Sequence, residues 1–179
     1  MNKVFRNFPP LPDLIPVYSV ITVMAYGWTL VAALWVLPSW ALFLTVSEIF
    51  SLFAYIMTAS LFESLVAIGA LALTAAILPA RWLKEDFVVR GTWLTIVLYS
   101  AMMIFHGLNS GQEGGLVRFW NAWTLAAIAV AVMAVRLAGR LSALRGLARW
   151  LSDQLTVFLY LLLPLSLVSL LVVIGRNLF

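Results

Sequence analysis

Glu63 is the residue of this chain whose position most demands a chemical reason. It stands in an apolar run, eleven residues after Leu52 and fifteen before Leu78. At that depth in a bilayer an ionised carboxylate costs several kcal/mol, so the group must be protonated, paired or turned toward a wet cavity. On a helix of 100° per residue, Tyr55, Ala59, Ala67, Ala70 and Thr74 fall within about 80° of it and Glu48 within about 60°. That face is small and polar, and is expected inside a bundle. The lone histidine, His106, ends a later apolar run with Tyr99 two turns deeper. A Glu and a His brought together could relay protons or coordinate a cation, although two ligands fall short of a metal site. Glu63, His106, Tyr55 and Glu48 therefore form the candidate polar site within the membrane. The plainer alternative makes Glu63 a hydrogen-bonded packing residue and His106 an interfacial cap.

A second pattern is basic. Arg136, Arg140, Arg145 and Arg149 fall within fourteen residues. Between 141 and 152, Leu144, Leu147, Ala148, Trp150 and Leu151 share one side of a helix, and Ser142, Arg145, Arg149 and Ser152 the other. This is the pattern of a short basic helix lying in the membrane interface, and its arginines are candidate contacts for anionic lipid. A surface connector that enforces topology is the plainer alternative. Nucleic-acid binding has no support beyond this run of charge.

Other chemistry is closed off by composition. With 0 Cys and 1 His the chain has no disulfide, no thiolate metal site and no imidazole pair for a haem. No Ser, His and Asp stand in a catalytic arrangement, and the seven acids form no paired motif on one helix. The glycine-rich stretch Asn109 to Gly115 lacks both the spacing and the following lysine of a phosphate loop. No cofactor is expected.

The elements that carry these residues must be membrane spans. Hydrophobic residues make up 64% of the 179 and charged ones 10%, against roughly 45–50% and about 25% in soluble domains. Apolar stretches approach or exceed the roughly 20 residues that cross a bilayer at 14–37, 52–78, 91–108, 120–135 and 155–174. The stretch between Pro38 and Pro79 could cross once or twice, and charge decides. A single crossing puts nine of the eleven Lys and Arg on one side, leaving Arg118 and Arg176 on the other. The positive-inside rule thus predicts an all-α integral membrane protein with five spans, the N-terminus cytoplasmic and the C-terminus external.

Residues 1–13 form a proline-rich cytoplasmic tail, and 14–179 a single five-helix domain. Residues 39–51 fit either an interfacial helix or an early start of the second span, with a preference for the latter. The first span is too long for the core of a signal peptide and lacks a small-residue cleavage site, so no cleaved leader is expected and the chain is assigned to the cell membrane.

Helices in lipid associate through small residues that let backbones approach. Ala25, Thr29 and Ala33 in the first span, and Ala122, Ala126, Ala127 and Ala131 in the fourth, predict that both pack inside. The second span, rich in Ala, Ser and Gly after Ala59, is expected at the centre, and the last, with Pro164, at the periphery. Three functions then remain. The first is a non-catalytic accessory or assembly subunit of a larger membrane complex, joined to a protein partner or a second copy through its helices. The second is a small transporter moving protons or cations through Glu63. The third, a membrane enzyme or an anchor for a catalytic chain, requires residues the sequence does not offer.

Overall fold

The computed structural model describes residues 8–79, 82–109 and 120–178, and among these it holds five long helices and no strand. They are α1 (Leu11–Phe43), α2 (Val46–Ile77), α3 (Phe87–Asn109), α4 (Trp120–Arg140) and α5 (Ser142–Leu178). All five are long and apolar enough to cross a membrane. At 1.5 Å per residue even the 21-residue α4 matches a hydrocarbon layer of roughly 30 Å. The chain is a helical membrane bundle. Lys3, Arg6, Arg81, Arg118 and residues 110–115 of the glycine-rich stretch lie outside the described residues.

Helix ends run beyond the expected spans for local reasons. α1 starts at Leu11 because Pro10 takes the extended N-cap position and Pro12 sits in the first turn, where a missing N–H leaves no bond unmade. It continues through Pro38 to Phe43, six residues past the expected end of the span at Leu37. α2 opens behind a capping box. The Thr45 N–H and hydroxyl each donate to the Glu48 carboxylate at 2.8 Å, and the Glu48 N–H returns to Thr45 Oγ1 at 3.4 Å. Residues 39–51 are thus divided between two helices: those up to Phe43 extend α1, and those from Val46 begin α2. At the other end of the chain, Ser142 to Ser152 runs into the last span without a break, as one helix of 37 residues that includes Pro164.

The centre belongs to α1, not to α2. Val17, Val20, Ile21, Ala25 and Tyr26 of α1 are buried, and the helix packs on α2, α3 and α5. α4 packs inside along only half of its length, where the expected Ala131 is buried. Its buried residues are Ala131, Val135 and Ala138, all in the half toward Arg140, while Ala122 and Ala126 are exposed. At the opposite end α4 holds to α3 through aromatics instead. Phe105 lies edge-on to Trp120 at 4.8 Å, and the Trp123 indole donates to the Ala101 carbonyl at 3.1 Å. α5 touches all four other helices while leaving a broad apolar face outward, including Leu161, Val168 and Leu171.

Hydroxyl pairs tie α1 to its neighbours. Tyr26 and Ser166 of α5 share a bond of 2.6 Å, Ser60 of α2 donates to Thr29 at 3.1 Å, and Tyr18 meets Ser64 of α2 at 3.3 Å. Ser19 donates to the Ser152 carbonyl of α5 at 3.1 Å and receives Thr156 at 3.4 Å. In lipid, hydrogen bonds between helices add to close packing, so these bonds, each worth about 0.6–2 kcal/mol, help to fix which faces meet. Where α4 turns into α5, Val89, Ala138 and Ala148 of three helices close into a small core beside Trp93 and Leu144.

Candidate functional site

Glu63 lies close to the midpoint of α2, and its side chain is exposed on the outside of the bundle. Ala59, Ala70 and Thr74 are exposed with it, so the small, polar face expected inside looks outward. The reason is the register of the hydroxyls. Ser60 and Ser64, which bond α1, set the inward face together with Met57, Leu61 and Leu71. Glu63 then borders a cleft of about 450 Å³ between α2 and α3, walled by Phe62, Val66, Leu98 and Met102. The Tyr99 hydroxyl interacts with its carboxylate across this cleft. A second cleft of about 580 Å³ adjoins it through Ala67, Leu98 and Tyr99, and reaches Ile21 of α1.

The remaining members of the polar set have other partners. His106 stands edge-on to Trp28 of α1, with ring centres 5.5 Å apart. It lies seven residues beyond Tyr99, about 10 Å further along α3. Tyr55 accepts a hydrogen bond of 2.8 Å from Asn177 near the end of α5. Glu48 is held in the Thr45 cap with Arg176 nearby. Hence Glu63 and Tyr99 come together, while His106 meets Trp28 of α1, Tyr55 meets Asn177 of α5 and Glu48 caps its own helix. Among the described residues no three His, Cys, Asp or Glu converge as ligands.

The basic set gathers at the end of the bundle where α4 meets α5, but not as one face. Arg145 donates to the Gly139 carbonyl at 2.7 Å, closing the last turn of α4, and Arg149 pairs with Asp86 at 3.4 Å in an exposed contact. Arg136 lies over the Trp82 ring, 4.8 Å from its centre. Arg136, Arg140, Trp82 and Arg90 line a cleft of about 310 Å³ together with Val135 and Gly139. Arg90 and Trp82 are the members the sequence did not group with the rest. They belong to α3 and the turn before it, some fifty residues away, and no periodicity links them to α4. The Thr45 cap, by contrast, was readable as Thr-x-x-Glu ahead of an apolar run.

Comparisons with protein-family models, with curated proteins and with solved structures found no match.

Proposed function

We propose that the chain is a non-catalytic accessory or assembly subunit of a larger membrane complex, and that a partner helix covers the outward face of α2. One observation carries this reading: a carboxylate at mid-helix, exposed on the outside of the bundle and served by Tyr99. Facing hydrocarbon, such a group is costly, and a helix presenting a hydrogen-bond donor at the same depth removes the cost. The apolar walls of the adjoining clefts, and the small residues Ala67, Gly69 and Ala70, suit close approach of a helix.

The same reading sets the N-terminus in the cytoplasm and the C-terminus outside, in the cell membrane. Lys84, Arg90, Arg136, Arg140, Arg145 and Arg149 at one end, against Arg176 at the other, support it under the positive-inside rule. At 37 residues α5 exceeds the hydrocarbon thickness, so the Ser142 to Ser152 portion belongs to the interface on this reading, where exposed Trp150 and Leu147 suit the headgroup layer.

Native purification in mild detergent, combined with substitutions at Glu63, tests the proposal. Glu63→Gln keeps an acceptor and should retain the fixed partner, whereas Glu63→Leu should weaken retention severalfold with the fold intact. Reconstituted alone, the chain should pass no protons or cations. A flux in the parent that disappears in Glu63→Gln would replace the subunit reading with the transporter.

A further inference from the structure

We propose that the cleft at the α4–α5 end is a binding site for a phosphate-bearing anion, gripped by Arg90, Arg136 and Arg140. It is independent of the Glu63 face. Three guanidinium groups from two helices line one cleft of about 310 Å³, and no carboxylate is among its described lining residues. Guanidinium groups gathered on one cleft raise its local positive potential, which favours an anion. A guanidinium presents paired N–H donors that match phosphate oxygens better than any other side chain does.

Local structure holds the groups in place. A Cβ on Gly139 would fall 3.2 Å from Arg90 Nη2, so the bare glycine lets the Arg90 side chain lie against the backbone of α4 beside Arg136 and Arg140. The Trp82 ring braces Arg136 from the other side, and tryptophan favours the headgroup level. The last carbonyls of a helix repel anions, and Arg145 covers that of Gly139. Arg149, engaged with Asp86, stands outside the cleft. The site is therefore not the arginine face that helical periodicity suggests.

The ligand is either the headgroup of an anionic phospholipid or a soluble phosphate, and one experiment separates these. The full chain is reconstituted in zwitterionic nanodiscs containing a minor fraction of phosphatidylglycerol, and the phosphatidylglycerol retained per chain is measured. Arg140→Gln and Arg149→Gln remove the same charge from the same end of exposed residues, and equal thermal midpoints establish that both are folded. Arg140→Gln should lower retention about fivefold, and Arg149→Gln should leave it within about twofold of the parent. Added inorganic phosphate that does not displace the lipid identifies the headgroup as ligand. Displacement, together with a phosphate-dependent rise in thermal midpoint that Arg140→Gln abolishes, identifies a soluble phosphate. Equal loss in the two variants, or unchanged binding of both probes by Arg140→Gln, would overturn the site.

Discussion

At the scale of residues, the bundle is specified by a few hydroxyls rather than by its many leucines. Tyr26 is nearly fully buried, and its hydroxyl bonds Ser166 at 2.6 Å, joining the central helix to α5. Tyr26→Phe removes that oxygen and leaves Ser166 the Leu162 carbonyl it already donates to. The expected cost is about 1 kcal/mol, read as a lowered thermal midpoint in detergent, with no change in helix content. An unchanged midpoint would show that the bond adds nothing to helix pairing. Glu63 illustrates how far a residue can be read without its neighbours. Its place near the middle of a long apolar helix was legible from the run around it, whereas the polar neighbours expected for it, His106, Tyr55 and Glu48, have other partners and Tyr99 lines its cleft instead. Its outward direction was not legible, because the wheel gives a face its composition and leaves open which face the hydroxyls of Ser60 and Ser64 will turn toward α1. Arg90 and Trp82 were legible only as an end-of-span arginine and an interfacial tryptophan, since the cleft they complete exists only once α3 lies on α4.

At the scale of elements, five spans were readable from hydropathy and charge because a bilayer demands about 20 apolar residues and penalises charges within them. Their ends and their order of burial were not. Pro38 reads as a stop by soluble-protein rules, yet proline is tolerated within membrane helices. The alanines of α4 show that a helix could approach closely, but Ala122 and Ala126 stay exposed while Ala131 is buried. The α1–α3 crossing depends on a missing side chain at Gly91 of α3, where a Cβ would stand 3.2 Å from a γ-carbon of fully buried Val17. Gly91→Val should therefore separate α3 from α1 and destabilise by about 1–3 kcal/mol. Gly27→Val places the same side chain where nothing lies within 4 Å and should be close to neutral. Thermal unfolding of the two variants in one detergent checks this, and equal midpoints would contradict the close α1–α3 crossing.

At the scale of the whole molecule, the described residues form a bundle knit around α1, with apolar faces of α2, α4 and α5 left outward and a carboxylate on one of them. Lipid can cover the apolar faces of α4 and α5 at no cost. The face of α2 around Glu63 is different, and the account stands on the claim that protein covers it. A photo-crosslinking residue placed at Val66, which is 70% exposed and borders the Glu63 cleft, tests that claim in native membranes, with Leu125 of α4, 69% exposed, as the matched site. The account predicts a protein adduct of one discrete mass from Val66, whose size tells a second copy from a different chain, and lipid adducts alone from Leu125. Lipid adducts alone from both positions would contradict it.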